Sequence, residues 1–156
     1  MSTAGGRDDV AELVLSVYEI HDEVIGSTGG MPGLRDAQML HAACARPFAT
    51  FGGQPLYETP FEQAAALFHS LIKSHPFMDG TKRTALLSAL WFLRKTGQQI
   101  PTALPRAEVV AFCLDVAEES LHPDRPVRSI PDIAAWLRRL VEVASPPRSA
   151  ASNPDL

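Results

Sequence analysis

The sequence is short of the features that mark secreted, membrane-embedded or nucleic-acid-coating chains. Cysteine occurs only as Cys44 and Cys113, too few for a disulfide scaffold and without the paired spacing of a metal site. Two buried thiols in a reducing cytosol are the expectation. Basic charge is not in excess: 14 Lys+Arg against 18 Asp+Glu give a formal net charge of −4. That excludes a protein held on nucleic acid by bulk charge, although it leaves room for a small basic pocket. No apolar run approaches the roughly 18 residues that a membrane span needs. The opening stretch MSTAGGRDD has no apolar region of a secretory signal. A cytoplasmic protein is expected, with no membrane contact and no direct nucleic-acid binding. What is present is ordinary: 156 residues, 46% hydrophobic and 21% charged. A chain of that size forms one domain that removes roughly two-thirds of its unfolded surface from water.

Apolar residues recur at helical spacing along most of the body. Val10, Leu13, Val14, Val17, Tyr18 and Val24 mark a first helix over 9–25, ended by the Gly-rich stretch 26–33. A short second helix is expected over 35–45, with Met39, Leu40 and Ala43 on one face. Residues 47–60 read as irregular, with alternation over 54–59 that suggests a short strand or hairpin arm. Thr59-Pro60-Phe61-Glu62 is a helix start: a capping Thr, Pro in the first turn, and Glu three residues after the cap. That helix runs to about Ser74, where Pro76 and Gly80 break the pattern. Further helices are predicted over 81–96, 106–121 and 131–144, the last started by Ser129 with Asp132 three residues on. Residues 1–8 and 145–156, small and polar or rich in Pro and Ser, read as flexible tails around a domain of residues 9–144. The fold class is all-α, a bundle of six or seven helices with a long central helix.

One stretch carries chemistry: His75-Pro76-Phe77-Met78-Asp79-Gly80-Thr81-Lys82-Arg83. A helix beginning near Gly80 or Thr81 presents unpaired N–H groups and the positive end of its dipole. Lys82 and Arg83 in the first turn cost the helix a few tenths to about 1 kcal/mol each. Beside a glycine that lets backbone approach a ligand, such an arrangement suits a phosphate. Asp79 at the edge of the turn is a natural Mg²⁺ ligand, because Mg²⁺ takes one or two carboxylates together with phosphate oxygens and water. His75 ends the preceding helix, and an imidazole with an unperturbed pKa of about 6.5 is a competent general base. Pro76 stiffens the loop and Phe77 anchors it. Base, metal ligand, anion cradle and two cations form a set for phosphoryl or nucleotidyl transfer.

This stretch resembles the signature of the Fic/Doc (Fido) family, His-x-Phe-x-Asp/Glu-Gly/Ala-Asn-Gly/Lys-Arg. His21-Asp22-Glu23, the run from Gly29 to Asp36, and the segments 61–74 and 84–97 are similar to its death-on-curing branch. The resemblance implies an all-α Fido-type fold and transfer of part of a nucleoside triphosphate to a protein hydroxyl. It implies His75 as the base, Phe77 as core anchor, Asp79 as the Mg²⁺ ligand, the backbone of Gly80, Thr81 and Lys82 as the anion hole, and Arg83 on phosphate. Lys82 selects the branch. Adenylylating members have glycine there, whereas the death-on-curing branch has lysine, reverses the nucleotide and transfers the γ-phosphate. ATP and Mg²⁺ are thus implied, with a threonine of translation elongation factor Tu as acceptor and arrest of translation as outcome. The alternatives are transfer of AMP and a catalytically weakened nucleotide-binding module. The second arises because Thr81 stands where the family has Asn. Leu86 replaces the second arginine of adenylylating members, which disfavours AMP transfer. No Glu in the chain precedes Gly or Asn, so the intrachain inhibitory motif is absent. Restraint by a separate antitoxin with a tail that folds on binding is implied instead.

Other residues invite blander readings. His41 and Cys44 have metal-compatible spacing but no second pair, so packing is expected. His21-Asp22-Glu23 reads as structural or surface, with support of the site as the alternative. His69 reads as core or surface, and Arg35-Asp36 as a tether for the second helix or, through Arg35, a substrate contact. Lys73, two residues before His75, is open between the pocket and solvent. Trp91, Phe92 and Trp136 are expected in the core.

Overall fold

The computed structural model describes residues 3–144. It contains six α-helices: α1 (Thr3–Thr28), α2 (Ala37–Ala45), α3 (Pro60–Ser74), α4 (Thr81–Lys95), α5 (Arg106–Ala117) and α6 (Ile130–Ala144). Short 3₁₀ turns follow α2 and α5, at Arg46–Phe48 and Glu119–Leu121. A two-rung antiparallel hairpin, β1 (Thr50–Phe51) and β2 (Gln54–Pro55), is the one sheet among the described residues. The all-α architecture is as expected, and no described helix is long and apolar enough to cross a membrane.

The helix ends follow the predicted chemistry closely. Thr59 caps α3 by accepting from the Glu62 N–H at 3.1 Å. The returning Glu62 carboxylate accepts from the Glu58 N–H at 3.3 Å, one residue short of an ideal capping box. Ser129 and Asp132 form the reciprocal pair at the start of α6, at 3.0 and 3.2 Å. Asp36 caps α2 through the N–H groups of Gln38 and Met39.

Three boundaries differ from expectation: the two ends of α1, and the end of the helix expected over 106–121, which stops at Ala117 and gives way to the 3₁₀ turn Glu119–Leu121. The N-terminal tail expected over residues 1–8 is helical from Thr3, and α1 is the longest element at 26 residues. Extending an established helix gains a hydrogen bond for each residue fixed, so solvent-exposed Gly6 to Asp9 continue a helix whose buried face begins at Val10. At its other end α1 passes through Gly26. The Ser27 and Thr28 hydroxyls donate to the Val24 carbonyl, and the chain turns at Gly29, whose φ of 74° is the left-handed C-terminal turn. The C-terminal tail expected over 145–156 lies outside the described residues.

The bundle is centred on α3 and α4. Helix α3 is apolar around most of its circumference, burying Phe61, Ala64, Ala65, Ala66, Leu67, Phe68, Leu71 and Ile72. It packs against α2, α4, α5 and α6, while α4 lies against both α3 and α1. The alanines let these helices approach closely, and Phe68, Phe112 and Trp136 fill the far side, the last two rings stacked 3.9 Å apart. In α2 the buried face is Leu40, Ala43 and Cys44, and Met39 is exposed. The α3–α4 junction, residues 75–80, therefore sits at the end of the best-packed pair of helices.

Candidate active site

The junction is pinned from both sides by the connection between α1 and α2. Gly33 accepts from the Met78 N–H at 3.0 Å, and the Pro76 carbonyl accepts from the Arg35 and Asp36 N–H groups at 2.7 and 3.1 Å. The Arg35 side chain caps the C-terminus of α3, donating to the Ser74 and His75 carbonyls at 2.6 Å each. His21, buried in α1, donates from Nε2 to the Asp79 carbonyl at 2.8 Å. Its ring lies flat against that of Phe77, which is fully buried as expected of the anchor. These bonds tie the loop from behind to α1 and to the α1–α2 connection.

Glycines make the close approaches possible. Gly80, the N-cap of α4, has φ 74°, and a Cβ there would press within 3.2 Å of Val24 and 3.3 Å of Ile25. A Cβ on Gly30 would stand 2.7 Å from Asp79 Oδ2. The Asp79 carboxylate accepts from Met31 N–H at 3.1 Å through Oδ2 and from Gly80 N–H at 2.8 Å through Oδ1. Those two bonds, Met31 first, hold its carboxyl below the ordinary range, and the nearby Lys82 charge adds to them.

A cavity of about 530 Å³ opens over the loop. His75, Asp79, Gly80, Thr81, Lys82 and Arg83 all line it, so every predicted site residue converges on one concave space. The opposite wall is apolar, built from Leu86 and, around α5, Leu104, Val109, Val110 and Leu114. Arg106, at the start of α5, adds a third cation. Lys82, Arg83 and Arg106 form no salt bridge among the described residues, and no side chain caps α4. The N-terminus of α4 and three unpaired cations thus face one space, next to an apolar wall. Such a cavity suits a ligand with a polyanionic end and a flat or apolar end.

His75 carries the one positive φ, 52°, of any described non-glycine residue. Its ring Nδ1 is 2.9 Å from the Thr81 hydroxyl. Thr81 is buried, and its side chain is thus turned to the imidazole, so that a place in an anion cradle falls to its backbone. Asp79 is the one carboxylate lining the cavity, and no group of three or more His, Cys, Asp or Glu able to hold a metal exists among the described residues. The donor set therefore fits a Mg²⁺ that arrives with phosphate oxygens, and not a cation caged by protein alone.

The remaining candidates fall outside this cavity or behind it. Lys73 is turned away and pairs with Glu119 at 2.6 Å. His69 accepts at Nδ1 from Arg46, 2.9 Å away, which also donates to Ser70 and Tyr57. His41 is exposed and Cys44 buried, so the pair forms no metal site. Burial pushes the thiols of Cys44 and Cys113 up to about 12 and about 11, so they stay protonated, Cys113 even at the cavity wall. Sequence reasoning missed Arg106 as a cavity cation. Its signal was a basic residue in the first turn of a helix, the same anomaly that marks Lys82 and Arg83.

Comparison with known proteins gives the same grouping. The Fic/DOC family model matches residues 14–93. The chain is 44% identical over 72 residues to Toxin Doc of Mycolicibacterium smegmatis, covering 46% of this chain and 55% of that protein. It is 37% identical over 81 residues to Protein kinase doc of Escherichia phage P1, covering 52% of this chain and 64% of that one. The chain thus spans less than two-thirds of the length of each of these relatives. The matched segment begins in α1, ends in α4, and contains the whole pinned loop together with the clamp that holds it. With a family match over half its length and the signature residues gathered on one cavity, this chain belongs to the Fic/DOC family.

Proposed function

We propose that the protein is a Doc-like toxin of a toxin–antitoxin pair that transfers the γ-phosphate of ATP to a protein hydroxyl. The observation that carries this reading is Lys82 in the first turn of α4, lining the same cavity as His75. In the family signature, glycine at that position leaves room for the α- and β-phosphates, and lysine takes that room. The name of the phage P1 relative, a protein kinase, supports the same reading.

The chain's own groups supply a complete set of roles. Lys82, Arg83, Arg106 and the free N–H groups of α4 hold the triphosphate and offset the charge that spreads over the transferred oxygens. The apolar face of α5 receives the nucleoside. Asp79, kept ionised by the N–H groups of Met31 and Gly80, would hold Mg²⁺, which would supply positive charge to offset that of the phosphates. His75, exposed at the cavity, takes the proton of the acceptor hydroxyl. The acceptor oxygen bonds to the γ-phosphorus, the bond to the β–γ bridging oxygen breaks, and ADP leaves. A threonine of elongation factor Tu is the acceptor in this reading, and translation stops when it is modified. The Toxin Doc relative supports a separate antitoxin as partner, its tail folding as it binds.

Incubation of the protein with elongation factor Tu and ATP, labelled at either the γ- or the α-phosphate, tests this. Label from the γ-position alone is the expected result. Label from the α-position would make it an adenylyltransferase. Binding of ATP with no transfer, by both the native protein and Thr81→Asn, would make it a nucleotide-binding module.

A further inference from the structure

We propose that Thr81 is a positioning residue for His75, fixing the imidazole so that Nδ1 carries its proton and Nε2 offers a lone pair to the cavity. This rests on the phosphotransfer reading for its catalytic consequence. The geometry itself does not depend on that reading.

The ring is held at two points. Its backbone is locked in the left-handed region at φ 52° and ψ 57°, a conformation that persists only where surrounding contacts impose it. Arg35 supplies those contacts by gripping the Ser74 and His75 carbonyls. The ring end is held by the Thr81 hydroxyl, 2.9 Å from Nδ1. Thr81 is the first residue of α4 and is 5% exposed, so its side chain is set by helix packing and not by solvent.

A neutral imidazole has one N–H, and its partner decides which nitrogen bears it. A hydroxyl can donate or accept, and the chemistry distinguishes the two. If Thr81 donated to Nδ1, the proton would reside on Nε2 and block the base. If Thr81 accepts from Nδ1–H, Nε2 is free. That second arrangement also survives the reaction: when Nε2 gains the acceptor's proton, Nδ1 keeps its own and stays bonded to the same oxygen. No hydroxyl rotation is required during transfer. Thr81 in place of the family's Asn is then a working component of the base and not a defect.

The test compares the native protein with Thr81→Val, which keeps the shape and loses the hydroxyl, and with Thr81→Ser, which keeps the hydroxyl. Ring-nitrogen NMR of His75, at a pH where neutral imidazoles predominate, reads the tautomer with no substrate present. The Nδ1–H form is expected in the native protein and in Thr81→Ser, and a shift toward the Nε2–H form in Thr81→Val. In turnover, kcat should fall about 10- to 100-fold in Thr81→Val, part of the roughly 10²–10⁴-fold that a positioned base contributes, with KM for ATP within about twofold and Thr81→Ser close to native. An Nε2–H tautomer in the native protein overturns the proposal, as does a Thr81→Val variant with unchanged tautomer. If the native protein transfers no phosphate to any acceptor, the phosphotransfer reading fails, while the NMR comparison still decides the role of Thr81. A melting temperature for each variant separates loss of the contact from loss of the fold.

Discussion

His21 lies flat on Phe77, ring centroids 3.8 Å apart and 8° from parallel, while its Nε2 donates to the carbonyl of Asp79 two residues further on. A single buried side chain from α1 thus fixes both the hydrophobic anchor and the Asp79 end of the loop. His21→Ala should lose the packed ring and leave a carbonyl without its donor, destabilising the fold by about 2–4 kcal/mol. His21→Phe keeps the stack and should cost less, about 1–2 kcal/mol. Denaturant unfolding of the two variants measures the difference. Equal losses would mean that the ring stack contributes nothing, and a His21→Phe variant as stable as the native protein would mean that the hydrogen bond contributes nothing.

Gly30 and Gly29 are neighbours with opposite predictions. Alanine at Gly30 would drive Cβ to 2.7 Å from Asp79 Oδ2, so the carboxylate must move. Affinity for the Mg²⁺–nucleotide complex should fall about tenfold, or about 1.4 kcal/mol. Alanine at Gly29 meets no atom within 4 Å but adopts a φ of +74°. It should cost about 1 kcal/mol of stability and leave affinity unchanged. Calorimetric titration with a non-hydrolysable ATP analogue, paired with unfolding curves, checks both.

Arg106 belongs to the nucleotide cavity in this account, although it lies outside the signature loop. Arg106→Ala should weaken binding of the same analogue about 5- to 20-fold, the scale of one charge-assisted contact. The loss should shrink as salt is raised. Arg138 of α6, stacked over Phe61 of α3, is the control: its alanine variant should leave the affinity as it was.

The loop itself was legible in the sequence because its working residues are contiguous and its helix starts announce themselves. Thr59, Ser129 and Asp36 act through partners two or three residues away, a distance that local spacing encodes. His21 and Arg35 were legible only as alternatives, support of the site and a substrate contact, and Arg106 was not read as part of the site at all. His21 meets Asp79 across 58 positions and Arg35 meets His75 across 40, and nothing in local periodicity reports a contact of that range. Lys73 shows the converse: sequence proximity to His75 suggested the pocket, but the phase of α3 turns it to Glu119. For Thr81 the residue type was noticed and its job was not, because a hydroxyl serves an anion or an imidazole equally well until the geometry is seen.

Stability should depend on pH through His69. Burial first, then the charges of Arg46 and Lys73, hold its imidazole below the ordinary value, with Glu119 opposing. The folded state therefore binds a proton less readily than the unfolded chain. This group's contribution is complete above the unfolded imidazole value of about 6.5 and is lost as pH falls through the depressed folded value. Melting temperatures taken from about pH 8 to about pH 5 should fall more steeply for the native protein than for His69→Gln. Parallel curves would show that His69 is not linked to folding.

The most direct measurement is the intact mass of elongation factor Tu after incubation with ATP and Mg²⁺, using the native protein and His75→Ala side by side. The account predicts a gain of about 80 Da, one phosphoryl group, with the native protein and no gain with His75→Ala. A gain of about 329 Da, the mass of a transferred AMP, or an equal gain with the His75→Ala variant, would contradict it.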